Sequence, residues 1–412
     1  MTMLERPDEP LPDVLTMPLP DGPHGLEPSI FHRLRRERPV AKVVLPSGDQ
    51  VWLLTRFGDI TAIGSDRRFS RDLTMSGSVR LVGDDFNSVR GGIFNLDPPD
   101  HTRVRRTIQK FFSPTAATEL QPVIAAHANR LIDAMTAGPN PTDLMRQYAF
   151  PLALHMACEV MAVPVEQRRK IIPDIHVQMD LTQESAIIGA STQRMLEFAD
   201  EVLDSKRAQG AAPDDPISTL IHAHDAGDIT TEELRGTVMY LFLTSAEPVT
   251  GPTAVAVYTL LRHPDILRSP LRDEAPDRFW DQVVREVLRL HHNSATSLPR
   301  VATEDVEIAG VTIAKGDAVI TPWIAASCDP SQFKAPDKFR PTRSRGEHSE
   351  VTFGTGPHFC LGANIARMHL KTALHTLWSR LPELTLAVRH EDIAWEPPEF
   401  LFTRPVELPV SW

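Results

Sequence analysis

Residues Phe353 to Arg367 read FGTGPHFCLGANIAR, and no other stretch limits the fold of this chain as tightly. Gly354, Gly356 and Pro357 forbid regular structure ahead of Cys360, whereas apolar residues recur at helical spacing from Ala363 to Leu377. Cys360 is therefore expected at a loop-to-helix junction. There, free amide N–H groups and the positive end of the helix dipole favour a thiolate and moderate how strongly it donates electrons. The glycines let backbone lie close against something flat. A cysteine among glycines, taken alone, is more often an inert buried thiol, so the whole string has to decide.

Phe353 stands seven residues before the sulfur, His358 two before it and Gly362 two after it, and the helix follows at once. This string resembles the haem-ligand loop of the cytochrome P-450 family. The resemblance implies Cys360 as the proximal iron ligand, a thiolate that pushes electron density towards iron, with Phe353, Gly354, His358 and Gly362 as cofactor-binding neighbours. A dinucleotide-loop reading of Gly354 and Gly356 fails, because the third glycine is misplaced and no strand-then-acid pattern surrounds them.

Net charge of -11 argues against a general nucleic-acid binder. The opening MTMLERPDEPLPDVLTMPLPDGP is rich in acids and prolines, unlike a signal peptide or membrane anchor, and no later stretch offers 18 uncharged apolar residues. A cytosolic enzyme without a membrane span is expected. Cys158, Cys328 and Cys360 form no CxxC pair and no disulfide framework, which suits a reducing compartment. The 412 residues contain no internal repeat and no Gly/Ser linker, so one large domain over residues 28–412 is expected, behind a poorly ordered tail, 1–27.

Along the chain, a short helix is expected from Ser29 to Arg36, then a hairpin of Val40 to Val44 and Gln50 to Leu54, then a helix from Phe57 to Ile63. Ser70 to Asn95 commits to no regular structure, and loops of that length are usually functional or disordered. The segment NLDPPDHTRVRRTIQKFFSP reads as a helix ended by Pro114, with His101 and Arg105 four apart and so on one face. It resembles the family's haem-propionate clamp, to which Arg suits its planar fork. Arg103, Arg106 and Lys110 form a separate basic stripe. Helices follow from Thr115 to Lys206, with Cys158 as a core thiol, and the family would place part of a substrate roof within Asp174 to Ser191.

Thr230 and Glu233 form a capping box for a helix from about Thr231 to Arg262. The family's distal helix usually carries Ala-Gly-x-acid-Thr at its middle. Here the aligned residues are Thr244, Ser245, Ala246, Glu247 and Pro248, so the acid is present and the alcohol is replaced. Pro248 and Pro252 each remove a helical N–H and are expected to interrupt the helix, at roughly 3 kcal/mol each in an ordinary interior. Thr244, Glu247 and Pro248 are the catalytic candidates, with water taking up freed carbonyls. Glu286 and Arg289 resemble the family's Glu-x-x-Arg motif, with Arg343 as partner, and Arg300 matches a second propionate ligand after an extended segment from Asn293. Val301 to Pro322 is expected to form two strands, and Phe400 and Phe402 to point into the pocket.

The resemblance thus implies a mainly α protein with small β-sheets, binding haem b. The activity implied is insertion of one oxygen atom from O2 into a small organic substrate, as hydroxylation of a secondary metabolite or O-demethylation of a small aromatic ether. Ferredoxin and a ferredoxin reductase would supply electrons, since no flavin or iron–sulfur pattern is present. A peroxide-driven haem-thiolate enzyme and a non-catalytic haem-binding protein are the alternatives.

Overall fold

The computed structural model describes residues 10–20, 22–74, 78–210, 212–291, 297–344 and 351–412. Most of the chain is helical, as the 3.6-residue periodicity requires. The hairpin forms as expected, Val40–Val44 pairing antiparallel with Gln50–Leu54. Around it builds a six-stranded sheet in the order Val14–Thr16, Val40–Val44, Gln50–Leu54, Ala318–Ile320, Arg300–Ala302, Phe69–Ser70. Two smaller sheets join Thr385–Leu386, Pro409–Ser411 and Thr142–Asp143, and Val306–Ile308 with Val311–Ile313.

Several expectations change. The part of the tail that is described is not loose, because Val14–Thr16 lies parallel to Val40–Val44, burying Leu15 and Met17. Its first nine residues lie outside the described residues, as do 292–296 of the segment expected to run extended. Val301 to Pro322 contributes four short strands rather than two, since Gly310 and Gly316 both adopt positive φ and each reverses the chain. Pro114 both ends one run and opens the next: Asp100–Ile108 passes through a 3-10 turn, and Pro114 occupies the first turn of Pro114–Thr136.

The long helix is interrupted as expected, but once, and ahead of both prolines. It is two helices, Thr231–Leu243 and Glu247–Arg262, separated by Thr244 to Ala246. Thr230 and Glu233 do form the capping box, with Thr230 N–H bonded to Glu233 at 2.8 Å and Glu233 N–H to Thr230 Oγ1 at 3.1 Å. Pro248 falls in the first turn of the second helix, where a missing N–H costs nothing, and Pro252 lies inside that helix without breaking it. The first helix packs its apolar side into one core cluster and the second helix packs into another. The break therefore lies at the seam between two apolar cores. No single helix among the described residues is long and apolar enough to cross a membrane.

Candidate active site

A cavity of about 370 Å³ occupies that seam, within the size range of small-molecule sites. On one side it is closed by the glycine-rich loop. Gly354 and Gly356 sit at φ +79° and +73°, which only glycine adopts freely, and a Cβ on Gly356 would lie 2.0 Å from the Gly64 carbonyl oxygen. The loop closes on itself where the Cys360 N–H donates to Phe353 O at 2.9 Å, and the helix Ala363–Arg380 starts three residues later. The Cys360 side chain opens onto the cavity. Burial pushes its thiol up, against the Gly362 N–H and the charges of Arg105 and Arg367, which pull it down. The Cys360 side chain is itself exposed, and a cation bound at the sulfur would favour the thiolate. Phe353, Gly354, His358 and Gly362 all line the same cavity, and the Arg367 guanidinium lies 4.6 Å over the Phe353 ring.

One end of the cavity is strongly basic. His101 and Arg105, on one face of Asp100–Ile108 as their spacing requires, both reach it. The His101 ring lies 4.2 Å from that of His358, and Arg105 donates to Pro357 O at 3.4 Å. Arg300, placed by the sheet, does not line the cavity but is buried behind it, donating to Phe69 O at 3.4 Å. Arg71 is buried beside it and donates to Pro299 O and Asn87. Burial and these neighbouring charges push His101 down to about 4 and His358 lower still, while burial brings Arg71 and Arg300 each down to about 10. Among the described residues neither Arg105 nor Arg300 has an ion-pair partner. His101 Nδ1 and His358 Nε2 are buried without hydrogen bonds. Buried cations and unbonded ring nitrogens around a thiol are what a metal-bearing dianion would satisfy, so the residues present fit an iron porphyrin with two propionates.

The opposite wall is the helix break. Thr244, Ser245, Pro248, Val249 and Pro252 line the cavity, joined by Ile93 and Phe94 from the irregular segment and by Phe402. Tyr240 and Phe94 stack with centroids 4.9 Å apart. Of the three residues expected to handle protons, Thr244 and Pro248 face the cavity and Glu247 does not. Glu247 is 2% exposed, and its carboxylate accepts from His176 Nε2 at 2.8 Å and from Arg404 Nη1. These partners hold its pKa below the ordinary glutamate value although burial, the largest single effect, works upward. Side chains take up two carbonyls in the last turn of the first helix, ahead of those that the prolines free. Thr244 Oγ1 turns back to Tyr240 O at 2.8 Å, and the Arg168 guanidinium donates to Phe242 O.

Other expectations divide. Glu286, wholly buried, accepts from Arg289 at 2.8 and 3.0 Å and from Arg343 Nε at 2.8 Å, and Arg289 also reaches Ser327 O. Phe402 enters the cavity, whereas Phe400 lies under the Arg404 guanidinium. No residue between Asp174 and Ser191 lines the cavity. Arg103 leaves the basic stripe, because Glu233 holds it at 2.6 and 2.9 Å and Asp100 at 2.9 Å. Cys158 and Cys328 are buried thiols pushed up to about 11 and about 12. His176, expected in the roof segment, instead pairs with Glu247, and Arg71, Arg168 and Arg404 were not singled out from the sequence. Arg404 alone gave a signal, as a lone charge in the apolar run FLFTRP.

The model of the family described as Cytochrome P450 matches residues 278–402. The mycinamicin IV hydroxylase/epoxidase of Micromonospora griseorubida is 31% identical over 398 residues, covering 94% of this chain and 96% of that protein. The nocardicin C N-oxygenase of Nocardia uniformis subsp. tsuyamanensis is 32% identical, covering 92% and 94%. Among solved structures, HinD with NMFT and NO superposes with TM-score 0.89 at 29% identity, over 98% of this chain and all of that one. Cytochrome P450mel 107F1, described as having biaryl coupling reactivity, gives 0.87 at 31%, over 97% and 100%. With relatives of this similarity along nearly its whole length, and a cavity whose residues fit the cofactor, the chain belongs to the cytochrome P450 family and is a haem-dependent monooxygenase acting on an organic substrate with O2.

Proposed function

We propose that Cys360 ligates the haem iron, that His101, Arg105, Arg300 and His358 receive the propionates, and that the enzyme hydroxylates an apolar secondary metabolite. The observation that carries this reading is the convergence on one cavity of a loop thiol, the Arg105 guanidinium and the buried, unbonded ring nitrogens of His101 and His358, in a chain whose overall charge is -11. Bound there, the haem supplies oxygen activation and insertion. Phe353, Gly354 and Gly362 hold the loop backbone against it. Opposite, Ile93, Phe94, Leu241, Val249 and Phe402 make a largely apolar surface that desolvates a hydrocarbon substrate. Several relatives carry names of natural-product oxygenases, mycinamicin and nocardicin among them, which supports a substrate of that kind.

Protons are handled at the helix break. Thr244 and Pro248 form the wall, and Glu247 stands behind it at the head of the second helix, where a negative charge is stabilised. Its partner His176 is half-exposed, so Glu247 links solvent to the break without touching the cavity. Electrons come from a ferredoxin and its reductase, docking near the exposed Arg106 and Lys110, in the cytoplasm. The test is turnover with a surrogate ferredoxin, its reductase and isotopically labelled dioxygen, on compounds that shift the haem from low to high spin. One labelled oxygen atom in the product is expected. Turnover with peroxide and none with reduced ferredoxin would contradict the reading.

A further inference from the structure

Arg168 lies in the short helix Val165–Arg169 and is 1% exposed, yet it has no carboxylate ion-pair partner among the described residues. Its Nε and Nη1 are buried without hydrogen bonds, and only Nη2 is used. That nitrogen donates to Phe242 O and to Ser245 Oγ at 2.7 Å, while the guanidinium lies 4.9 Å from the centre of the Phe242 ring. Phe242 O belongs to the last turn of Thr231–Leu243, where carbonyls lack helical partners and a cation is favourable. Packing needs none of this, since replacing such a buried charge with an apolar side chain is often neutral or stabilising. The consequence falls on Ser245.

Ser245 lines the cavity. Its oxygen accepts from Arg168, so its own proton must point elsewhere. Ser245 Oγ donates to Phe242 O at 3.2 Å, a long O–H···O bond to a carbonyl that it shares with Arg168. An oxygen acceptor in the cavity that offers a shorter bond would draw that proton away. We propose that Ser245, oriented by the buried Arg168, is the hydrogen-bond donor that the broken helix presents to an oxygen acceptor in the cavity, in place of the alcohol that Pro248 displaces. Arg168 is its positioning residue. The acceptor oxygen belongs either to an ordered water or to the substrate. This rests on the monooxygenase reading above.

The experiment compares Ser245→Ala, Arg168→Met, Arg168→Lys and the Ser245→Ala/Arg168→Met double variant as haem-loaded enzymes. Spin-shift titration with apolar ketones and their parent hydrocarbons reports affinity. Product formed per reduced nicotinamide consumed, through a surrogate ferredoxin and its reductase, reports coupling. Ser245→Ala and Arg168→Met should each lose about fivefold, the usual worth of one hydrogen bond. A loss confined to coupling identifies water as acceptor, and a loss of affinity for ketones but not hydrocarbons identifies the substrate oxygen. The double variant should match Ser245→Ala alone, because Arg168 acts through Ser245, and Arg168→Lys should recover part of the loss. The thermal midpoint of Arg168→Met should be unchanged or higher. Losses that add in the double variant, or unaltered affinity and coupling in Ser245→Ala, overturn the proposal. If the wild-type enzyme itself neither shows thiolate-ligated haem nor inserts oxygen, the parent reading fails instead.

Discussion

Glu247 shows how far one residue's chemistry can depart from its place in a motif. Its position promises a group beside the reacting atoms, but Arg404 and His176 hold its carboxylate behind the wall. Replacing Glu247 by Gln leaves the buried Arg404 with only its longer contact to Glu396, at 3.6 Å, which should cost on the order of 3 kcal/mol in stability. Product formation should slow about a hundredfold if Glu247 governs proton supply. Both are measurable on one preparation, by denaturant unfolding and by steady-state turnover. The pH dependence has a definite sign. The folded carboxyl lies below its unfolded value, so its contribution is complete above the ordinary glutamate range and is lost as pH falls through the folded pKa. Wild-type stability should therefore fall on the acid side of that range more steeply than that of Glu247→Gln. Parallel acid-side profiles would show that the ion pair contributes nothing.

At the scale of elements, the helix break and the glycine loop make separable predictions. Pro248 sits in a first turn, so Pro248→Ala should change stability by less than about 1 kcal/mol in urea unfolding. The same position argues that Pro248→Thr will not by itself rejoin the two helices, because Arg168 and Thr244 still occupy the carbonyls at the junction. Gly356→Ala is a different case. It combines a positive φ with a collision against Gly64, and should cost about 2 kcal/mol or more and lower the fraction of haem retained after gel filtration. How much could be read in advance follows the range of each interaction. The capping box, the hairpin and the His101/Arg105 face depend on neighbours within a few residues, and all three formed. An interruption of the long helix was legible from Pro248 and Pro252, but its place at Thr244 to Ala246 was not, because bonds that hold the break come from Arg168 and Arg404, 74 residues before Phe242 and 157 after Glu247. Arg168 sits in VEQRRK, which has the pattern of a solvated surface run. Nothing local marks it as buried.

For the whole molecule, the acidic chain should meet its electron donor through a few exposed cations. Arg103 is neutralised by Glu233 and Asp100, leaving Arg106 and Lys110 exposed on that segment. Reversing both charges should slow reduction by ferredoxin several-fold at low salt, with the difference shrinking once the Debye length falls to about 8 Å. Stopped-flow reduction at two ionic strengths checks this, and salt-independent rates would place docking elsewhere. The order of motifs along the sequence was enough to anticipate the architecture, since the Cys360 loop and the His101/Arg105 pair meet at one cavity and the Glu286 triad forms. The protein around Cys360 raises its thiol, so the expected thiolate rests on a cation bound at the sulfur. The account as a whole depends on that sulfur meeting a cation. The most direct measurement is therefore the absorption spectrum of the reduced, carbon monoxide-bound protein, freshly purified and fully loaded with haem. Thiolate ligation by Cys360 predicts the red-shifted Soret band in the wild type, and its loss with partial haem retention in Cys360→His. A Soret band at the position of imidazole-ligated haem in the wild type would contradict it.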